Sequence, residues 1–206
     1  MKSQIDCVMP AAGASSRMGA WKPLLPWGDS VIIEATLAAA LEVAARVIVV
    51  AGFRGDELRA RLKDRERVLV VDNPDWRLGM LGSIQRGAAF VDTEAFFSIP
   101  ADMPLAKPQH FRRLLERSVQ RHAEGLPEAV LFAAYGEELG HPVLIPSRLL
   151  ESILSLDPRG KLRAFLVEGE HEAVDQRDPA VLADLDKPDE YEAARKSIDL
   201  PADADR

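Results

Sequence analysis

The sequence predicts a single α/β domain of three layers, in which helices cover both faces of a mostly parallel sheet. Short apolar runs alternate with amphipathic helical patterns along the chain, a spacing that is typical of βαβ units. The 206 residues suffice for one sizeable hydrophobic core. Neither a repeat nor a linker divides the chain, so we expect one Rossmann-like domain over residues 1–197 and a loose tail over residues 198–206.

The apolar runs predict the strands, because they are short, rich in β-branched and aromatic residues and bounded by polar segments. The first run, IDCVM, contains the single cysteine, Cys7, which we expect to be a core residue. The predicted strands cover residues 5–9, 46–51, 67–72, 95–100, 128–135, 141–146 and 172–176.

The segments between these runs have the apolar spacing of helices. Asp29 or Ser30 is the expected N-cap of the first helix, and Pro108 suits the first turn of the helix that it begins. The predicted helices cover residues 30–43, 55–63, 83–91, 108–123, 147–156, 161–168 and 188–197.

The composition argues against several classes of protein. The formal net charge of -7 disfavours a broad nucleic-acid surface, although a local cluster of donors could still bind a small anion. No apolar run is long enough to span a bilayer, and the N-terminal segment lacks the pattern of a signal peptide. We therefore expect a cytoplasmic protein with neither a membrane nor a nucleic acid as partner.

The loop after the first predicted strand carries the strongest functional signal. It reads AAGASSRMGAWKPLLPW and begins with Ala11, Ala12 and Gly13, whose small size lets a ligand approach the backbone N–H groups. Arg17 offers a planar cationic fork and Lys22 a compact cation, and both suit a polyphosphate. The loop matches neither GxGxxG nor the Walker motif. Its composition alone is equally compatible with a flexible loop that carries two solvated cations.

Two aspartates are candidate metal ligands. Ligands of parallel sheets bind at the carboxyl ends of the strands, and Asp102 follows the fourth predicted strand in IPADMPL. A carboxylate there suits Mg²⁺, which takes one or two carboxylates plus substrate phosphates, but it could also be a turn residue. Asp186, in DLDKPDEY, could bind the metal or cap the last helix, and Asp184 competes for the cap.

The opening loop resembles the signature AAGxSxRMGxxKxLLP of the nucleotidyltransferases related to molybdenum cofactor biosynthesis, the MobA-like NTP transferases. The resemblance continues in NPDWRLGMLGSI, ADMP, GHP and DLDKPDEY, and so extends from Ile5 to about Tyr191. Within this group, the chain looks most like the molybdenum cofactor cytidylyltransferases. The resemblance implies a GT-A-like nucleotidyltransferase fold.

The resemblance also implies roles for the candidate residues. Lys22, Arg17 and Asp102 would be catalytic: Lys22 would neutralise charge at the α-phosphate, and Arg17 would hold the leaving β- and γ-phosphates. Asp102 and Asp186 would bind Mg²⁺ or Mn²⁺, with Asp184 in support.

Further implied contacts concern the two substrates. Backbone groups of Ala11, Ala12 and Gly13 would face the phosphates. The base and ribose would contact Gly79, Gly82 and Ser83. Gly52 would line the same crevice. The GHP segment would place His141 beside the acceptor.

The implied reaction is the transfer of CMP from CTP to the phosphate of molybdenum-loaded molybdopterin, with release of pyrophosphate. Related guanylyltransferases typically show two glycines where this chain has Ala12-Gly13, which favours CTP over GTP. A molybdoenzyme or its maturation factor would be the protein partner. Two alternatives stay open: a binding and delivery protein for the molybdenum cofactor with little turnover, and a nucleotidyltransferase that uses GTP, a sugar phosphate or methylerythritol phosphate.

Overall fold

The computed structural model describes residues 5–15, 18–185 and 187–199, with side chains up to residue 196. Arg17 and Asp186, both predicted to belong to the site, lie outside the described residues. The last helix extends to Asp199, two residues into the predicted tail, and the rest of that tail also lies outside.

The described strands follow the predicted apolar runs, with one added hairpin. They are β1 (Asp6–Pro10), β2 (Pro26–Trp27), β3 (Ser30–Val31), β4 (Arg46–Ala51), β5 (Val68–Asp72), β6 (Ala95–Ser98), β7 (Val130–Tyr135), β8 (Glu138–Pro146) and β9 (His171–Asp175).

The described helices lie where the amphipathic patterns predict them. They are α1 (Ile32–Leu41), α2 (Gly55–Leu62), α3 (Met80–Ala88), α4 (Pro108–Ala123), α5 (Leu150–Ser155), α6 (Leu162–Glu168) and α7 (Pro188–Asp199). Short 3₁₀ turns cover Lys22–Leu24, Trp76–Leu78, Ser147–Leu149 and Pro179–Leu182. None of the described helices is both long and apolar enough to cross a bilayer.

The main sheet confirms the predicted mostly parallel arrangement. Its strand order is β5-β4-β1-β6-β8-β7-β9. Only β8 runs antiparallel to its neighbours, β6 and β7, while the other neighbouring strands in this sheet pair in parallel. The chain leaves β1 towards β4 and β5 on one side and later places β6 on the other side. The carboxyl ends of β1 and β6 therefore flank the point where the strand order reverses, which is where α/β sheets bind ligands.

The core lies on both faces of the sheet, because successive side chains of a strand point to opposite sides. Cys7 and Met9 of β1 pack in a cluster with residues of α1, α2 and α4. Val8, between them, packs in a second cluster with residues of α3, α5 and α6. Cys7 is fully buried, as predicted, and this burial raises the pKa of its thiol.

The predicted N-cap of the first helix is wrong. Asp29 and Ser30 lie in the hairpin of β2 and β3, where Gly28 turns the chain at a φ of +54°, and α1 begins only at Ile32. The Ser30 hydroxyl donates to Glu34 instead of to a helix N–H group. α3 begins at Met80, three residues before its predicted start at residue 83.

Candidate functional site

The loop after β1 is held by its own backbone against the end of β4. The N–H of Ala11 donates to Val50 at 2.9 Å, and the N–H of Phe53 donates to the Ala12 carbonyl at 3.0 Å. Both alanines are buried, whereas Gly13 is exposed and a Cβ there would meet open space. Gly13 is therefore the point at which this part of the loop opens to solvent and to the cavity that it lines.

The same loop is closed by side-chain bonds from its far end. The indole Nε1–H of Trp21 donates to the Gly13 carbonyl at 3.1 Å, and the N–H of Lys22 donates to the Ser15 hydroxyl at 3.2 Å. Ser15 itself has a φ of +52°. Trp21 thus orients the backbone of the loop.

The loops after β1 and β6 meet in an ion pair. Nζ of Lys22 lies 2.9 Å from Oδ2 of Asp102, and their side chains are 6% and 24% exposed. Pro10 and Gly13 line the same cavity of about 160 Å³. A buried cation, Lys22, and a partly exposed carboxylate, Asp102, therefore lie together at the point where the strand order reverses. Both residues are candidate site residues from the sequence.

The backbone around Asp102 is anchored from three sides. The N–H of Ala101 donates to the Pro10 carbonyl at 3.2 Å, and its carbonyl accepts a bond of 3.1 Å from the buried Thr36 hydroxyl. The Asp102 carbonyl accepts the N–H of Leu185 at 3.3 Å. The chain segment that leads to Asp186 therefore touches the backbone of the other predicted metal ligand.

Gly52 is closely surrounded by other residues and does not border open space. A Cβ on Gly52 would lie 2.7 Å from Cβ of Ala12 and 2.7 Å from Cβ of Trp76. Phe53 packs edge-on against Trp21 and Trp76, with ring centroids 6.2 and 5.7 Å apart. The small residue at position 52 lets this aromatic cluster pack closely against the loop after β1.

The segment at the start of α3 packs against other protein groups, whereas the resemblance predicts that it contacts a nucleotide. Nδ2 of Asn73 donates to the Ser83 hydroxyl at 3.0 Å, and both residues are buried. A Cβ on Gly79 or Gly82 would lie 3.4 or 3.2 Å from Pro158, so these glycines face a neighbouring loop. Base contacts through this segment stay a prediction.

His141 lines a second pocket beside the first. This pocket has a volume of about 480 Å³, and His141 shares it with Ser98 and Arg163. Among the described residues, Nδ1 of His141 is buried without a hydrogen-bond partner. His141 therefore combines a position in the wall of this pocket with a buried ring nitrogen that no described protein group satisfies.

Met80 is a lining residue of both pockets. It is the first residue of α3 and is 59% exposed. Sequence reasoning missed Met80, since a single exposed methionine carries no motif; the preceding Gly79, with a φ of +135°, was the available signal for an unusual turn.

Acidification should destabilise the protein through His141. Burial first, and Arg163 second, lower the pKa of His141 from 6.5 to about 4. The unfolded chain takes up a proton near pH 6.5 while the folded chain resists it, so the free energy of unfolding falls by up to about 3 kcal/mol between these pH values. Urea unfolding between pH 7 and pH 4 should show a weaker pH dependence for His141→Asn than for the wild type.

The matched control for this prediction is His122→Asn, which replaces an exposed histidine of α4. This variant should follow the wild-type pH dependence. Parallel curves for His141→Asn and the wild type would show that His141 does not resist protonation in the folded protein.

The chemistry of Asp102 fits a divalent cation. Mg²⁺ commonly takes one or two protein carboxylates and fills its remaining positions with water and substrate phosphates. One carboxylate oxygen of Asp102 contacts Lys22, and the side chain keeps access to the cavity. The described residues contain no group of three or more His, Cys, Asp or Glu side chains arranged to hold a metal ion.

Comparison with known proteins agrees with this architecture. Residues 7–174 match the model of the MobA-like NTP transferase domain. The chain is 32% identical over 194 residues to the molybdenum cofactor cytidylyltransferase of Escherichia coli, which covers 94% of this chain and 97% of that protein.

Solved structures show the same fold. A nucleotidyl transferase from Methanothermobacter thermautotroptrophicus is 26% identical with a TM-score of 0.79, over 94% of this chain and 97% of that chain. A Mycobacterium tuberculosis protein in complex with manganese is 24% identical with a TM-score of 0.68, over 95% of this chain and all of that chain.

Proposed function

Because the chain belongs to the MobA-like NTP transferase family, we propose that this nucleotidyltransferase transfers CMP from CTP to the phosphate of molybdenum-loaded molybdopterin. An oxygen of the acceptor phosphate attacks the α-phosphorus of CTP. The bond from that phosphorus to the oxygen of the β-phosphate breaks, and pyrophosphate leaves. The acceptor phosphate is already ionised at neutral pH, so no enzyme nucleophile is needed.

The observation that carries this proposal is the ion pair of Lys22 and Asp102 at the carboxyl ends of β1 and β6. Phosphoryl and nucleotidyl transfer depend mainly on positioning and on stabilising charge in the transition state. A buried lysine beside a small-residue loop supplies both functions at one place. Lys22 neutralises charge on the α-phosphate, and the backbone near Gly13 receives the phosphate chain.

The remaining roles follow the family pattern. Asp102 and Asp186 hold a divalent cation, Mg²⁺ or Mn²⁺, which when bound neutralises the phosphate oxygens. Arg17 holds the β- and γ-phosphates. The Mycobacterium tuberculosis structure in complex with manganese has this fold, which makes Mn²⁺ a suitable probe for the metal.

The pocket of His141 suits the acceptor. Its wall is largely apolar, with Phe132 and Leu166 among its residues, and three cations line it: Arg159, Lys161 and Arg163. A flat heterocycle could pack on the wall while its negative charge meets the cations. Met80 lines both this pocket and the cavity of Lys22, so the acceptor phosphate would enter the nucleotide site past its side chain.

Two observations support CTP as the donor. The full-length relative at 32% identity is a cytidylyltransferase. In the family pattern, related guanylyltransferases show two glycines where this chain has Ala12-Gly13, and Ala12 is buried beside Gly52. The product would pass to a molybdoenzyme or its maturation factor in the cytoplasm.

Pyrophosphate release tests the proposal. Purified protein with Mg²⁺ and molybdenum-loaded molybdopterin should release pyrophosphate with CTP and not with GTP, ATP or UTP. Assays without acceptor measure background hydrolysis. Release with GTP alone would move the chain to the guanylyl branch, and tight acceptor binding without release would favour a delivery protein.

A further inference from the structure

A short segment joins β9 to the predicted metal ligand Asp186. We call residues 178–185 the strap. It begins with Asp178, continues as the 3₁₀ turn Pro179–Leu182 and ends at Leu185. The strap ends beside the backbone of Asp102, so whatever holds the strap influences the position of Asp102.

Asp178 fastens the first end of the strap to the start of α4. Its Oδ2 accepts bonds from Nζ of Lys107 at 2.8 Å and from Nε2 of His110 at 3.1 Å, while Oδ1 accepts the N–H of Ala180 at 3.0 Å. Burial opposes the charge of Asp178, yet these three bonds outweigh it and lower its pKa to about 2. Asp178 is therefore a carboxylate that joins two elements near the site.

His110 is oriented for this contact. Its side chain is fully buried, and its Nδ1 accepts the backbone N–H of Lys107 at 3.2 Å. The proton of a neutral imidazole then lies on Nε2, which donates to Asp178. Burial lowers the pKa of His110 and so favours this neutral form.

Two backbone contacts hold the rest of the strap. A Cβ on Gly140 would lie 2.1 Å from the Val181 carbonyl oxygen, so only glycine lets β8 approach the strap this closely. At the far end, the N–H of Leu185 donates to the Asp102 carbonyl at 3.3 Å. Gly140, the glycine of the GHP motif, thus allows close packing of the strap, while the neighbouring His141 lines a pocket.

We infer that Asp178, His110 and Gly140 are positioning residues: they hold the strap, and through its Leu185 N–H they hold the backbone of Asp102, so that the Asp102 carboxylate is placed for a divalent cation. The inference rests on the proposed function for the presence of that cation. The residues themselves touch neither cation nor substrate; they act through the strap. Loss of a group that orients a metal ligand typically weakens metal binding by about 10- to 100-fold.

The test replaces Asp178 with asparagine. The new amide places a donor against the donors of Lys107 and His110, which should loosen the strap. We expect Asp178→Asn to raise the dissociation constant for Mn²⁺ about tenfold, measured with CTP by the electron paramagnetic resonance signal of free Mn²⁺. The KM for CTP at saturating metal should change little. Gly140→Ala should shift Mn²⁺ binding in the same direction, because the Val181 carbonyl must move.

The matched control is Glu172→Gln. Glu172 is 26% exposed against 17% for Asp178, and it likewise accepts bonds from two cations, Arg117 and Arg121 of α4. It lies in β9, which precedes Asp178 in the chain and is not part of the strap. Glu172→Gln should lower the thermal unfolding temperature in EDTA without changing Mn²⁺ binding.

The outcomes separate this inference from the proposed function. If the wild type binds Mn²⁺ and releases pyrophosphate but Asp178→Asn binds Mn²⁺ equally well, the strap contacts are structural only and the inference fails alone. If the wild type binds no Mn²⁺ in the presence of CTP, both fail. A weakened Mn²⁺ affinity in Asp178→Asn with normal affinity in Glu172→Gln supports the positioning role.

Discussion

Lys22→Ala is expected to lower kcat by about 10²- to 10³-fold while the KM for CTP changes by much less. The ammonium group is buried 2.9 Å from Asp102 at the reversal of strand order, and a buried cation stabilises developing charge more strongly than an exposed one. Charge at the α-phosphate grows in the transition state, so removal of the cation should affect the chemical step more than binding. Steady-state pyrophosphate release at varied CTP measures the two constants separately.

Lys63→Ala is the control for the lysine variant, because Lys63 is 69% exposed at the end of α2. It should behave as the wild type. Turnover that survives nearly intact in Lys22→Ala would remove Lys22 from the role assigned to it. A loss confined to KM would instead make Lys22 a binding residue for the nucleotide.

Asp102→Asn is expected to reduce metal-dependent activity by about 10³-fold or to background. The amide keeps the size of the side chain but loses the charge that a divalent cation requires. It also leaves the ammonium of Lys22 buried without its carboxylate. Mn²⁺ binding with CTP, followed by electron paramagnetic resonance, should weaken together with pyrophosphate release.

Asp92→Asn provides the corresponding control, since Asp92 is 78% exposed and pairs with Arg46 away from the Lys22 cavity. This variant should retain activity and Mn²⁺ binding. An Asp102→Asn enzyme that keeps its metal-dependent turnover would exclude Asp102 from the metal site.

The strands and helices could be predicted because burial imposes a period on the sequence. RVIVVA became β4 at its predicted bounds, since a strand buried on both faces reads as a continuous apolar run. α4 also has its predicted bounds, Pro108–Ala123, because a one-sided apolar stripe and a proline at the first turn mark such a helix.

The short elements could not be predicted, because they are too short for burial to impose a period on their sequence. β2 and β3 have two residues each, too few to show a period, and the hairpin they form displaced the expected cap at Asp29 or Ser30. The turn Trp76–Leu78 likewise brought the start of α3 forward to Met80. Local polar residues could not reveal this, because the same side chains cap helices and form turns.

The sequence by itself determined the layer architecture, the family resemblance and the residues most suited to the chemistry, because periodicity and motif are local properties of the chain. Only the tertiary structure decided which of these residues meet. It joined Lys22 to Asp102 across 80 positions and seated Gly140 against Val181. It also packed Gly52 against Trp76 and Gly82 against Pro158, two neighbours that no sequence pattern indicates. Such contacts depend on how separate elements pack. In the sequence, a glycine that makes room for a ligand cannot be distinguished from one that makes room for a neighbouring loop.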